Sequence, residues 1–295
     1  VQTKTKQESV VSRDGTRIGI VRQGTGPAIV LVQGGMADVH AYRDLADDLS
    51  ETFTVVRAER RGRGLSPHPY DPAHDIAREI DDLDAVMAAT GARALFGLSS
   101  GAVIVLEAAR TLQHVEHAIV FEPPFYADGI DRNRLRRLFD DIDRRRFGAA
   151  LIGALTTAGT APAAINHLPR WLGRLLGRIV LTVQGLAPGP ATSLRSLLPG
   201  VRYDFHDVAQ VDGHLDAFAS ITQPVLLLSG TASPRFLQDA VRAVQRVLPH
   251  ASHTELPGLG HDGPWNGGNP RAVAAEITTF LRRQRADHHR PGEAP

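Results

Sequence analysis

The sequence predicts an α/β protein: a mostly parallel eight-stranded sheet with helices on both faces and one inserted helical segment. Three observations carry this. Short apolar runs alternate with amphipathic segments along most of the chain, the pattern of repeated βα units. Between about 126 and 220 the alternation stops, strand-like runs become scarce, and Arg, Gly and Pro become frequent. At residues 91–113 a buried-strand pattern turns directly into a helix pattern through Gly97-Leu98-Ser99-Ser100-Gly101. The implied division is a discontinuous core of 1–125 and 221–285, a helical cap of 126–220 and a disordered tail of 286–295.

In chain order, residues 8–11 and 16–22 read as two strands joined by the turn Arg13-Asp14-Gly15. Residues 28–32 are a continuous apolar run, the mark of a strand buried on both faces. Gln33-Gly34-Gly35-Met36 ends it. Residues 40–49 have helical spacing, 53–58 form another buried strand, and 59–67 are a Gly-punctuated loop with three arginines. Residues 73–90 place Ile76, Ile80, Leu83, Val86 and Met87 on one helical face. A strand at 92–96 and a helix from 100 to about 112 follow. Residues 117–121 are the next strand, closed by Glu122-Pro123-Pro124.

In the insertion, 131–147 and 171–183 read as helices, whereas 156–169 and 186–202 carry weaker signals. The core pattern returns with a strand at 224–229, a helix at 236–248, a strand at 253–256 and a helix at 271–285. Ligands in such sheets bind at the carboxyl ends of the strands. Loops 33–36, 97–101, 122–125, 230–235 and 258–264 are therefore expected to meet.

Bulk properties narrow the function. The chain has 295 residues, 42% hydrophobic and 22% charged, enough for a sizeable core. Its net charge of +1 gives no general reason to expect nucleic acid or an anionic membrane as a partner. There is no cysteine, which excludes disulfides, thiolate zinc sites and a Cys nucleophile. Together with a polar N-terminal stretch lacking a signal-peptide pattern, this fits a cytoplasmic location. No phosphate loop, dinucleotide fingerprint or metal-ligand spacing is present, so no cofactor or metal is expected.

The chemistry concentrates at Ser99. A strand that turns straight into a helix holds the bend residue in a strained conformation with its side chain in the open. The helix behind it offers free N–H groups to a developing oxyanion. Ser99 is therefore the candidate nucleophile, and Ser100 a donor of a backbone N–H rather than a second nucleophile.

Four pieces in this order resemble the α/β-hydrolase superfamily: Gln33-Gly34-Gly35, Arg60-Arg61-Gly62-Arg63-Gly64-Leu65-Ser66, Gly97-Leu98-Ser99-Ser100-Gly101 and Gly258-Leu259-Gly260-His261. The resemblance covers nearly everything except the cap. It implies that His261 is the general base. Of the other histidines, His68, His74, His114, His288 and His289 read as surface residues and His253 as structural.

The usual acid of that superfamily would fall in Gly230-Thr231-Ala232-Ser233-Pro234, where Ser233 stands instead of Asp. A variation known in some haloalkane dehalogenases and in zearalenone-type lactone hydrolases places the acid one strand earlier. That position here is Glu122, with Asp262 a weaker competitor. The oxyanion hole implied is the N–H of Ser100 with that of Gly35, or of Met36 one residue on. Gln33 replaces a common His, and its amide could tie the loop together. The Arg-rich loop after residue 58 reads as structural support.

The function implied is cofactor-independent serine hydrolysis of an apolar ester or lactone through an acyl-enzyme. Hydrolysis of a C–C, thioester or amide bond, acyl transfer, and a non-catalytic ligand binder are the alternatives, the last because of the missing acid at Ser233. Trp171, Leu172, Leu175 and Leu176 could line the pocket or form the core of the cap. The arginines of 131–147 are interleaved with aspartates, which favours a solvated, salt-bridged face.

Overall fold

The computed structural model describes residues 5–186 and 192–288. One sheet contains β1 Lys6–Val11, β2 Arg17–Gln23, β3 Ala28–Val32, β4 Thr54–Ala58, β5 Ala94–Leu98, β6 His117–Phe121, β7 Val225–Gly230 and β8 Ser252–Leu256. The strand order is β1-β2-β4-β3-β5-β6-β7-β8. β2 is antiparallel to both neighbours, and every pair from β4 to β8 is parallel.

The apolar runs read as doubly buried strands are buried on both faces for a simple reason. Ile29 and Leu31 of β3 point into one core layer, and Val30 and Val32 into the other. α1 (Arg43–Leu49) covers the first layer. α2 (Ile76–Thr90) and α3 (Ser100–Thr111) cover the second. Asp75 caps α2 by accepting from the Arg78 N–H, and Gly91 ends it in the left-handed region at φ 69°. That cap sets the start of α2 three residues later than the apolar spacing alone suggests.

Between β6 and β7 the described chain is helical. It contains α4 (Arg132–Asp143), α5 (Phe147–Thr157), α6 (Ala163–Asn166), α7 (Arg170–Leu186), α8 (Leu194–Leu197) and α9 (Val201–Val211), with short 3-10 turns at Leu198–Gly200 and Leu215–Ser220. The helix expected over 131–147 ends at Asp143, and the next helix begins at Phe147. Arg145 adopts φ 52° between them, which no α-helix can accommodate. α10 (Arg235–Val247) joins the second layer, and α11 (Pro270–His288) packs with α1 on the first. α11 extends three residues past the expected end at 285, and the rest of the expected tail, 289–295, lies outside the described residues. No helix among the described residues is long and apolar enough to cross a membrane.

Candidate active site

The turn from β5 into α3 has the geometry its sequence requires. Ser99 sits at φ 57°, ψ −123°, outside both strand and helix regions. A Cβ on Gly97 would lie 2.3 Å from the Gly101 carbonyl oxygen, and one on Gly101 would lie 2.5 Å from that of Val32. Neither position can carry a side chain without moving backbone. β5 on one side and Ser100 on the other are buried, whereas Ser99 is half-buried and open to the cavity.

Glu122 follows β6 with φ 48° and is wholly buried. One carboxylate oxygen accepts from the Gly230 N–H at 2.7 Å. The other lies 2.7 Å from His261 Nδ1, in the loop after β8. A carboxylate can only accept, so Nδ1 carries the proton and Nε2 is left as the free basic nitrogen. The His261 ring is one-fifth exposed and lines the same cavity as Ser99. Ser233, at the usual acid position, is buried. Asp262 lines the cavity, but the ring contact belongs to Glu122. His253 pairs with the Ser229 hydroxyl at 3.0 Å, consistent with a structural residue.

The loop after β3 packs against the elbow. A Cβ on Gly34 would lie 2.8 Å from the Leu98 carbonyl oxygen, and Met36 adopts φ 55°. Gly35, Met36 and Ser100 all line the cavity. Neither the Gly35 nor the Ser100 N–H donates to a backbone carbonyl among the described residues. Four described non-glycine residues have positive φ, and Met36, Ser99 and Glu122 are three of them. Backbone strain is thus concentrated where these side chains and amides converge.

Beneath this loop lies a network the sequence reading did not anticipate. Arg63 Nη1 donates to the carbonyls of Gly34 at 3.0 Å and Ala37 at 2.9 Å. The Gly34 carbonyl and the Gly35 N–H share one peptide plane, so holding the oxygen directs that N–H to the opposite side. Arg63 also grips Asp204 of α9 at 2.5 Å, and Arg60 reaches the other oxygen of Asp204 at 2.5 Å. The Ser100 hydroxyl donates to Asp204 at 2.7 Å. Burial alone would raise the Asp204 carboxyl, but Arg63, Arg60 and Ser100 outweigh it and hold it below the ordinary range.

Arg60 further pairs with Glu79 at 3.0 Å and Asp207 at 2.7 Å. His74, expected on the surface, is 2% exposed and bonds Asp207 at 2.9 Å. His74, Glu79 and Asp207 have metal-ligand types and spacing, but the Arg60 guanidinium already supplies the cation there. The Arg-rich loop is therefore an ionic hub that ties α9 to the elbow. Gln33 does not tie its loop as expected: both side-chain polar atoms are buried without a partner among the described residues. The clue to the hub was the set of arginines in a loop leaving a buried strand. Buried guanidinia demand carboxylates, but nothing nearby in the chain names Asp204 and Asp207.

The cavity encloses about 310 Å³. Leu155 of α5, Phe205 and Val208 of α9, Leu237 of α10 and Trp265 supply much of its apolar wall. Trp171, Leu172, Leu175 and Leu176 are absent from it. Trp171 is 68% and Leu175 47% exposed, so these two do not form a cap core either, whereas Leu172 and Leu176 are half-buried. α7 turns Gly173, Gly177 and Leu181 inward instead.

Comparison with known proteins places this geometry. A profile of the alpha/beta hydrolase family matches residues 29–276. The chain is 25% identical over 276 residues to 2-(acetamidomethylene)succinate hydrolase of Mesorhizobium japonicum, covering 90% of this chain and 91% of that one. It is 30% identical over 264 residues to polyketide synthase ThaQ of Burkholderia thailandensis, covering 84% of this chain but 11% of that far longer protein. Among solved structures, an alpha/beta hydrolase from Sphaerobacter thermophilus superposes with a TM-score of 0.73 at 28% identity, covering 93% of this chain and all of that one. The chain belongs to the alpha/beta hydrolase family and is a hydrolase.

Proposed function

We propose that this chain is a cofactor-independent serine hydrolase that cleaves an ester or lactone of an apolar small molecule. Ser99 Oγ adds to the carbonyl carbon as His261 Nε2 takes its proton. The imidazolium so formed is stabilised by Glu122 across the Nδ1 hydrogen bond. The Ser100 and Gly35 N–H groups receive the oxyanion. Collapse of the tetrahedral intermediate expels the alcohol, which leaves with the proton from His261, and the acyl group stays on Ser99. Water, deprotonated by His261, then adds to the acyl carbon. The second collapse returns the proton to Ser99 and frees the acid.

The observation that carries this reading is the 2.7 Å contact between a wholly buried carboxylate and His261 Nδ1. An unpaired carboxylate is costly to bury, and this one takes one bond from a backbone amide and one from the ring. It would serve as the acid whose absence at Ser233 kept a non-catalytic binder among the alternatives. The apolar wall favours an apolar substrate. No Lys or Arg side chain lines the cavity among the described residues. A dicarboxylate such as the one named for the Mesorhizobium enzyme would meet no counter-charge there, so that activity is not carried over.

A chromogenic short-chain p-nitrophenyl ester tests the reading. The wild-type chain should turn it over, and Ser99→Ala should lose about 10⁴-fold or more. Turnover retained in the variant rules Ser99 out as nucleophile. Matched thioester and amide substrates, run beside the ester, rank the bond types the same groups could cleave.

A further inference from the structure

α7 is built inside out. Toward the rest of the protein it turns Gly173, Gly177 and Leu181. A Cβ on Gly177 would lie 2.0 Å from the Gly148 carbonyl oxygen, so α5 and α7 touch backbone to backbone and need no large side chains between them. Outward it presents Trp171, Leu175, Ile179 and Val183, spaced four residues apart, at 68%, 47%, 51% and 63% exposure. Four large apolar side chains in one line along an exposed helix are not the scattered hydrophobics of an ordinary surface.

The charge beside this stripe is one-sided. Residues 144–203 contain eight arginines and no Asp or Glu, although the whole chain carries only +1. Arg144, Arg145, Arg146, Arg174, Arg178 and Arg195 line one cleft along α7. Among the described residues Arg144 and Arg146 are offset by Asp140 and Asp141. Arg145, Arg174, Arg178 and Arg195 have no carboxylate within 4 Å there. Asp141 also reaches Arg170 at the start of α7 and Asp143 pairs with Arg202, so the aspartates of α4 offset four of the eight arginines and leave the other four to make this edge cationic.

We propose that the outer face of α7 with its arginine edge seats the protein on an anionic lipid surface. An apolar arc with a Trp, flanked by arginines, is the pattern of a helix that lies in a membrane interface without crossing it. Its apolar side chains enter the headgroup boundary while the arginines meet lipid phosphates. A second copy fits less well, because α7 carries no Asp or Glu to offer the arginines of its twin.

Co-sedimentation with vesicles tests the proposal on the full chain. Vesicles of phosphatidylcholine and phosphatidylglycerol in equal parts should pellet the protein in 50 mM salt. At least tenfold less should pellet with phosphatidylcholine alone or in 500 mM salt. Trp171→Ala and the pair Arg174→Ala/Arg178→Ala should each cut binding at least fivefold with unchanged thermal melts. The blue shift of tryptophan emission on vesicle addition should vanish in Trp171→Phe. Failure to pellet with anionic vesicles at low salt overturns the proposal, as does binding indifferent to these substitutions. A concentration-dependent dimer dissolved by Trp171→Glu overturns it too, and assigns the face to a second copy.

Discussion

Two buried carboxylates flank the cavity, and they are held in opposite ways. Glu122 meets one backbone amide and one imidazole, a partner whose charge can come and go. Asp204 meets two guanidinia, whose charge is permanent, and the Ser100 hydroxyl. In the proposed mechanism the first arrangement leaves a negative charge available to a positive charge that forms only during reaction. The second consumes the charge in holding α9, the elbow helix and the loop of Gly34 and Gly35 in one place. Both carboxylates are buried and hydrogen-bonded; what separates the proposed catalytic acid from the structural one is whether the charge beside it is permanent.

Neutralising each carboxylate in turn sharpens that contrast. Glu122→Gln should lower kcat for ester hydrolysis by about 10³–10⁴-fold while leaving the thermal melt close to wild type. Asp204→Asn should do the reverse in kind. It leaves Arg60 and Arg63 short of a buried partner and should cost about 3–5 kcal/mol, read from chemical denaturation. If the melts of the two variants prove interchangeable, the distinction fails.

A smaller effect tests the link between the hub and the oxyanion loop. Arg63→Lys keeps the charge facing Asp204 but cannot fork to Asp204, Gly34 and Ala37 together. It should reduce kcat by roughly 10–100-fold with KM little changed, because the Gly35 N–H would be misaimed only for the oxyanion. A matching rise in KM with kcat preserved would show that Arg63 serves binding instead.

The smallest effect concerns Glu59, at the entry to the Arg-rich loop. Burial, with Asp38 nearby, raises its carboxyl to about 7 against the opposing pull of Arg63. The folded chain therefore holds this proton more tightly than the unfolded one. The stabilisation is full below the ordinary carboxylate range and is lost as pH rises through about 7. Glu59→Gln should remove that decline and add roughly 1–3 kcal/mol at pH 8 relative to wild type, with little gain at pH 4. Parallel pH–stability curves for the two proteins would contradict the assignment.

What could be read from the sequence follows from the range of the interactions involved. The strands were legible because Ile29 to Val32 and their counterparts are buried on both faces and leave an unbroken apolar run. The elbow was legible because its glycines answer to atoms a few residues away or on the adjoining strand. Glu122 came from the family resemblance, whose variant with the acid one strand earlier implies that position once Ser233 stands where the usual Asp would be. Asp204, Asp207 and His74 were not, because their partners lie more than 130 residues apart and polar burial leaves no periodic trace. The period of α7 was visible, but not which side of it faces inward. Only the contact of Gly177 with Gly148 decides that, and it sends the large residues out.

The rate of phosphonylation at residue 99 tests the central assignment most directly, because it reads the nucleophile and its activation together. A fluorophosphonate should add one adduct to the intact protein, mapping to the peptide that contains Ser99, and Glu122→Gln should slow its formation at least a hundredfold at neutral pH. An adduct on another residue, or an equal rate in the two proteins, would contradict a serine activated by His261 and Glu122.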